Sequence, residues 1–304
     1  MLVQERFKNY TKNHCWQYEI RLQNLEDDLK VAGFSKKDLE KLCIKDFVFE
    51  YVNKENKETC REIKEFIQKH EWLGKLPNRP TQRFTARYKK NGMLAGAIIM
   101  ATPNAFSNLL GKEHRDKEKL ISRGASISWA PKNLASWLLM KSINWMVKHT
   151  EFRYFTAYSD PEANELGTIY QACNFYYLGK TSGTTYQYLD PLKPEKGWFS
   201  DREFRKRSKY KIYAKRIGIN GDKWEGWMKK YSPNWDLIPP KIKSKIKEEE
   251  SKHREGCLSR KVSKKHKYCY ILGATKTQTQ KLKQCFIKLN PKKINLSYPK
   301  ERGK

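Results

Sequence analysis

The chain predicts an α/β fold, a mixed sheet flanked by helices, with a small helical extension before it and a basic α+β region after it. Three observations carry that prediction. Strand-like and helix-like periods alternate from about residue 46 to residue 190. An Asn91-Gly92 pair sits between two apolar runs, the strongest short-range hairpin signal a sequence offers. Beyond Asp190 the composition turns basic and aromatic. The expected division is 1–44 for the extension, 45–190 for the α/β domain and 191–304 for the basic region.

In the extension, Trp16, Ile20, Leu22, Leu25 and Leu29 form a rough apolar stripe at helical spacing. Gly33-Phe34-Ser35 ends that helix and caps a second over 36–42. Two short helices around a glycine turn have the outline of a helix-turn-helix, although most such pairs are only packed helices. Residues 47–52 alternate as a strand. Residues 58–72 put Ile63, Phe66 and Ile67 on one face of an amphipathic helix, and 83–88 with 94–101 make the hairpin.

The organising stretch follows. A strand over 120–129 ends at Ala130-Pro131-Lys132-Asn133 and enters an apolar helix lasting to about His149. A second strand over 152–158 ends at Ser159-Asp160-Pro161, a helix starts near Glu162, and a third strand covers 176–180. Residues 184–189 read as a closing strand. Further on, 201–215 interleave basic residues with Phe204, Tyr210 and Tyr213, and Trp224, Trp227, Tyr231 and Trp235 follow. Residues 241–252 read as a charged helix or linker, 264–272 as a strand and 278–289 as a helix.

The turn at 130–133 has two readings. A helix N-terminus offers unpaired N–H groups and a positive dipole end, which suits a pyrophosphate. Pro131 fits the first turn because its missing N–H costs nothing there. Lys132 adds a point charge, and Asn133 or Ser136 a hydrogen bond. The plainer reading is an ordinary strand-to-helix connection with a proline start.

Three groups of residues stand out by type and spacing: Arg123; Pro131-Lys132-Asn133 with Ser136-Trp137; and Tyr158-Ser159-Asp160-Pro161 with Gly167-Thr168-Ile169-Tyr170-Gln171-Ala172, Asn174-Phe175, Tyr177 and Gly179. On these residues the chain resembles the phage Mom family. These are DNA-modification enzymes on the GNAT (acetyl-CoA-dependent N-acetyltransferase) fold that convert adenine to a carbamoylmethylated form. The resemblance covers roughly residues 46–190, and thinly the last forty. It implies a GNAT-like sheet and modification of the exocyclic amine of adenine, which would protect phage DNA from host restriction. It implies acetyl-CoA held at Pro131, Lys132, Asn133 and Ser136, and iron as a further cofactor. Catalysis would fall to Arg123, Tyr158, Ser159 and Asp160, with Tyr170 as general acid toward the departing thiolate. The glycine-rich loop usual in GNAT proteins is absent here, a departure that Mom-like sequences share.

Each of these residues also has a plain structural reading. Asp160 can be the N-cap ahead of Pro161. Arg123, the one charge within its strand, needs a partner such as Asp160 or an anionic ligand, unless it simply faces solvent. Tyr170 can pack. His70 is favourable at a helix C-terminus. The order His70-Glu71-Trp72 departs from the histidine pair the resemblance leads one to expect, so a metal held by His70 and Asp160 rests on the resemblance alone. His253, Cys257, His266 and Cys269 have ligand types that suit zinc, at loose spacing and without a Cys-x-x-Cys.

Charge bounds the partner. The 304 residues carry 63 Lys and Arg against 33 Asp and Glu, a formal +30. Residues 191–304 hold 33 of the basic and 11 of the acidic side chains. Such an excess predicts an anionic polymer, double-stranded DNA before a membrane, with Arg202, Arg205, Lys206, Arg207 and Lys209 as phosphate contacts and the aromatics as supports for an unstacked base. A solvated lysine-rich surface is the alternative. No run is long and apolar enough to span a membrane, and seven scattered cysteines fit reduced thiols, so the expectation is a protein of the host cytoplasm. Two other functions fit the pattern, an N-acetyltransferase of a protein or small amine and a DNA-binding protein without activity.

Overall fold

In the computed structural model the described residues are 15–77, 79–103, 105–182, 185–229 and 232–301; Tyr231, Thr184 and residues 1–14 of the extension lie outside them. With strands numbered along the chain, β1 (Phe47–Val52), β2 (Pro80–Tyr88), β3 (Leu94–Ala101), β4 (Glu118–Ser126), β5 (Tyr154–Ser159), β6 (Tyr176–Lys180) and β10 (His266–Ile271) form one sheet. Its order is β1-β2-β3-β4-β5-β10-β6. Every pair is antiparallel except β4 with β5. The fold is the mixed α/β arrangement that the alternation of periods predicts.

Local chemistry accounts for the elements. Helix α1 (Trp16–Ala32) ends at Gly33, whose φ of 68° takes the left-handed conformation common after a helix. In α2 (Lys57–His70), Asn56 caps the first turn by accepting from the Thr59 N–H at 3.0 Å, and Ile63, Phe66 and Ile67 are buried at helical spacing. Strand β3 is buried at every residue, which requires cover on both faces, and α2 and α3 (Leu134–His149) both pack on it. The short helix α4 (Thr168–Ala172) starts at Gly167, where φ is 68°. A Cβ there would lie 2.6 Å from the ring of Tyr268, so this glycine is set by both conformation and space.

The strand expected at 184–189 exists as β7 (Thr185–Leu189), but it does not close the main sheet. That place belongs to β10, which pairs with β5 from His266↔Ser159 to Ile271↔Tyr154 and with β6 through Tyr268↔Tyr177. The division expected at Asp190 gives way to an insertion. Asn9–Ser182 and Lys264–Lys304 make one compact unit, while Gly183–Ser263 belongs to the other. Sequence order favours pairing neighbours, whereas Tyr268, Cys269 and Ile271 are buried within one short run that puts buried residues on both faces, as a central strand requires. Helix α8 (Lys276–Leu289) then buries Leu282 and Phe286 against a cluster with Leu109, Leu110, Tyr154 and Leu178.

Within the inserted unit, β7 pairs with β8 (Phe199–Ser200) and β9 (Leu258–Val262). Its helices are α5 (Arg207–Arg216), α6 (Gly221–Gly226) and α7 (Pro240–Glu255). Tyr210, Tyr213, Trp224 and Phe204 are buried, so the aromatics expected to support a base are chiefly this unit's own core. Residues 241–252 belong to a helix rather than a linker. Ile246 is buried there, and Glu250 accepts from Tyr210 (2.9 Å), Lys247 (2.7 Å) and Arg254 (3.1 Å).

The extension is not a helix-turn-helix. Its second element is a 3-10 turn, Lys36–Lys41, and α1 packs on α2 with Ile20 and Leu29 buried. All seven cysteines are free thiols, and among the described residues no helix is long and apolar enough to cross a membrane.

Because β10 is shared by β5 and β6, a chain ending at Ser263 should lose the cooperative thermal transition seen by near-ultraviolet circular dichroism. A sharp transition at an unchanged temperature would contradict this topology.

Candidate functional site

The site begins where two parallel strands part. Pairing of β4 with β5 runs from Glu118↔Tyr154 to Ile121↔Ala157 and then stops. Beyond that point β4 stays paired with β3 and β5 with β10. A register shift in β4 next to β3 puts Arg123 opposite Ile99 but Ile121 opposite Met100, so Ser122 is a bulge where the strands separate. Arg123 on one side and Tyr158, Ser159 and Asp160 on the other therefore border an opening rather than a continuous sheet.

Arg123 is half-buried. Its Nε donates to the Lys75 carbonyl at 2.7 Å and lies 3.8 Å from Glu71 Oε1. Its carboxylate partner is thus Glu71, not Asp160 as the sequence suggested. Asp160 does act as an N-cap, accepting from the Glu162 N–H at 3.1 Å, and its other oxygen pairs with Lys265 Nζ at 2.8 Å. The structural reading of Asp160 holds, and a role for it in chemistry goes through the Lys265 pair.

Two acids absent from the sequence reading join the cluster. Glu165 accepts from the Trp72 indole N–H and from the Asp160 backbone N–H, both at 3.1 Å. The residue keeps some exposed surface, yet burial of its carboxyl group, reinforced by Glu71 and Asp160, pushes its pKa up to about 7. Glu71 is buried and accepts from the Gly74 N–H at 2.8 Å; burial raises its pKa, with Arg123 opposing. No spacing rule brings residues 71, 123 and 165 together. The sequence signal for this cluster is the tripeptide His70-Glu71-Trp72, whose acid and indole, rather than its histidine, reach the opening.

Tyr170 rests against Phe175 and Tyr268 at ring distances of 5.3 Å. Burial, then the charge on Glu165, raises its pKa, so the phenol is held protonated. A phenol in that state can donate a proton and is a poor base. Ser159 Oγ is buried near Tyr268, with no hydrogen bond of ordinary geometry among the described residues. Tyr158 is exposed, with the Lys267 ammonium 5.7 Å from its ring centre.

The run after Asp160 owes much of its pattern to conformation. Gly167, Asn174 and Gly179 all have positive φ, Phe175 is buried, and the Tyr177 hydroxyl meets His266 Nδ1 at 2.7 Å. Tyr268 donates to the Leu166 carbonyl at 2.5 Å, which ties β10 to the turn before α4.

The turn ahead of α3 faces a cleft of about 560 Å³ lined by Trp129, Pro131, Lys132 and Asn133, with Leu39 and Glu40 among the residues opposite. Lys132 is exposed, Asn133 holds the N-cap position without a side-chain cap, and Ser136 Oγ donates back to the Asn133 carbonyl at 3.1 Å. Glu40 is the one feature there that disfavours an anion.

Helix α1 holds this turn. Arg21 donates to the carbonyls of Ser128 (2.9 Å) and Ala130 (3.2 Å), and buried Asp28 accepts from Ser128 Oγ at 2.7 Å. Gln17 of the same helix donates to the His70 carbonyl at 2.6 Å and accepts from the Trp72 N–H at 3.1 Å. One helix thus fixes both the turn ahead of α3 and the turn bearing Glu71 and Trp72.

The residues present do not fit the implied iron. His70 Nδ1 lies 3.6 Å from Asp28, and burial pushes its pKa down to about 4, which leaves a neutral ring packed on Phe66. Asp160 is engaged by Lys265. His253 bonds Tyr213 within the inserted unit, while His266 bonds Tyr177 in the main sheet. Among the described residues no three His, Cys, Asp or Glu side chains are grouped to hold a metal ion.

The five basic residues predicted to hold phosphates all lie in the inserted unit. Arg205 pairs with Asp201, Lys206 with Glu203 and Arg207 with Glu225; Lys209 is half-buried and Arg202 exposed.

A family model described as the Mom protein family matches residues 55–219. Among solved structures, the IAA acetyltransferase from Bacillus cereus is similar at 12% identity over 74% of this chain and 99% of that one, with a TM-score of 0.33. A Bacillus subtilis acetyltransferase in complex with CoA gives 11% identity, the same coverages and 0.33. The ribosomal-protein-S5-alanine acetyltransferase from Vibrio fischeri gives 16% identity over 34% of this chain and 52% of that one, at 0.27, so the chain spans about half that enzyme's length. No curated protein matches the sequence.

The raised Glu165 sets a pH dependence. Its folded pKa near 7 exceeds the ordinary 4.5, so the folded state holds that proton more tightly and stability falls as pH rises between those values. His70 works in the opposite sense, losing stability as pH falls from 6.5 toward 4. Glu165→Gln should therefore remove the decline on the neutral side and leave the acid one. Urea midpoints measured from pH 4 to pH 8 check this, and an unaltered neutral limb would contradict it.

Proposed function

The chain belongs to the Mom protein family, and from that premise we propose that it modifies the exocyclic amine of adenine in phage DNA by a Mom-like carbamoylmethylation that uses acetyl-CoA and shields the DNA from host restriction. The observation that supports this reading best is the parting of β4 from β5, with Arg123, Glu165 and Tyr170 at the opening.

The chemistry asks for groups of this kind. The lone pair of adenine's amine is delocalised into the ring, so attack by that nitrogen requires removal of a proton as the bond forms. A carboxylate with a pKa near 7 is matched to that task at neutral pH. A phenol kept protonated suits donation to the CoA thiolate, which leaves as a nitrogen donor takes the thioester carbonyl; joining the methyl carbon to the adenine nitrogen further requires a two-electron oxidant. Arg123, already anchored on the Lys75 carbonyl, has an orientation fixed before substrate arrives and can hold a carbonyl oxygen or an anion. Ser159 Oγ offers a further hydrogen-bonding group beside Asp160.

Acetyl-CoA would lay its pyrophosphate against the N-terminus of α3, at Pro131, Lys132 and Asn133, whose turn is prepositioned by Arg21 and Asp28. The target base is stacked in a duplex, so it must leave the stack to reach the opening.

Two experiments test the reading. Acetyl-CoA at millimolar concentration should raise the melting temperature, and Lys132→Glu should erase the shift; no shift in the wild-type chain would remove the cofactor. Nucleosides from DNA of cells expressing the protein should contain a modified adenine by mass spectrometry, and that DNA should resist restriction cleavage. Arg123→Ala and Glu165→Gln should each lower the yield by at least 100-fold, roughly what a positioned acid or base contributes. Unmodified DNA together with an acetylated protein or small amine would favour the plain N-acetyltransferase instead.

A further inference from the structure

The basic charge of the last third divides in a way that the sequence alone does not show. Residues 183–263 contain 21 basic and 11 acidic side chains, and residues 264–304 contain 12 and one. In the inserted unit several of the basic side chains, including those at 205–207, are paired locally with acids. Arg207 meets Glu225 at 2.5 Å, Lys247 meets Glu250 at 2.7 Å, Lys252 meets Glu248 at 2.9 Å and Arg254 meets Asp201 at 2.9 Å, and Arg205 and Lys206 are paired as described.

The later segment has almost nothing to pair with. Its one acid is Glu301, and among its described lysines Lys265 is the one that pairs with a carboxylate, that of Asp160. On α8, burial of Leu282 and Phe286 fixes which face is turned inward. Lys276, Lys281, Lys283 and Lys288 are exposed, as are Lys292 and Lys293 just beyond. Lys276 with Lys283, and Lys281 with Lys288, are each seven residues apart, two helical turns or about 10 Å along one face. Among the described residues none of these lysines lies within ion-pair distance of an acid.

Cys285 Sγ and the Asn290 amide hold the carbonyls of Leu110 and Leu109, at 3.4 and 2.8 Å. The chain there continues into Lys112, Arg115 and Lys119, which line a cleft of about 520 Å³ with Phe106 and Phe152. Asp116 and Glu118 line it too, but Glu118 is occupied by Ser107 and Thr156. Lys119 is buried, its ammonium 4.3 Å from the centre of the Phe152 ring and without a carboxylate partner among the described residues.

We propose that the exposed face of α8, with Lys276, Lys281, Lys283 and Lys288, is the surface that holds the phosphate backbone of duplex DNA, in place of the basic run at 202–209. The proposal rests on the reading that the polymer is DNA. Unpaired lysines exchange bound counterions for phosphates at little internal cost, whereas Arg205, Lys206 and Arg207 must first give up a carboxylate. This surface also belongs to the same compact unit as the candidate site, and its segment starts at the Lys265–Asp160 pair.

The test is a salt titration of binding to a duplex of about two helical turns, read by fluorescence anisotropy. It compares the wild-type chain, a variant with Lys276→Gln, Lys281→Gln, Lys283→Gln and Lys288→Gln, and one with Arg205→Gln, Lys206→Gln and Arg207→Gln. Each lost phosphate contact lowers the slope of log affinity against log salt by about 0.9, so the first variant should lose about 3.6 of slope and the second little. Glutamine keeps helix propensity close to that of lysine. Melting temperature identifies a folded variant; should the quadruple change unfold, the two pairs are changed separately, with about half the loss expected of each. A wild-type slope in the α8 variants, or loss confined to the 205–207 variant, would overturn the assignment while leaving the DNA reading intact. A wild-type chain that binds anionic phosphatidylserine vesicles but no duplex at low salt would overturn both.

Discussion

The candidate site of this protein depends on an interruption. Parallel β4 and β5 share hydrogen bonds only as far as Ile121 and Ala157, and a bulge at Ser122 turns the strands apart. Each strand stays held on its outer side, β4 on β3 and β5 on β10, while its gap-facing backbone groups beyond that point have no strand partner across the opening. The opening also brings Arg123, Asp160 and the loop bearing Glu165 to one place, although they are far apart in the chain.

What surrounds the opening is held from several directions. Trp72 at the end of α2 and the N–H of Asp160 at the end of β5 both bond Glu165. Gln17 fixes the turn bearing Glu71 and Trp72, and Arg21 and Asp28 fix the turn before α3. An extension that could have been a separate reading head is instead spent on holding two loops still. Preorganisation of that kind matters where developing charge is to be stabilised, because groups already oriented need not reorganise during reaction. It accompanies two carboxyl groups whose burial opposes ionisation, Glu71 and Glu165.

The chain's late return to its sheet ties binding to architecture. Strand β10 enters between β5 and β6 only after the inserted unit has been completed. The same segment supplies Tyr268, packed where Gly167 leaves room, and Lys265, paired with Asp160. The last forty residues are at once a structural element of the sheet, a wall of the candidate site and the most one-sidedly charged part of the molecule.

The sequence by itself determined the kind and order of most elements from Phe47 to Lys180, because period and turn chemistry are local properties; the helix expected from Glu162 is instead a 3-10 turn at Pro161–Ala163 followed by the short α4, since Gly167 takes a left-handed conformation between them. The Asn91-Gly92 turn, the apolar face of α2, and the strand-turn-helix around Pro131 all form where the pattern puts them. The motif from Gly167 to Gly179 was legible too, and the positive φ at Gly167, Asn174 and Gly179 shows why those types stand there. Only the tertiary structure decided who meets whom. That Arg123 pairs with Glu71, that Glu165 is drawn among acids and an indole, and that His70 faces Asp28 are contacts across tens to a hundred residues, for which spacing holds no signal. Charge followed the same division. A count of lysines located the excess in the last third of the chain, but whether each finds a carboxylate depends on which side chains the fold sets within a few ångströms, and that separates the paired Arg205, Lys206 and Arg207 from the exposed lysines of α8.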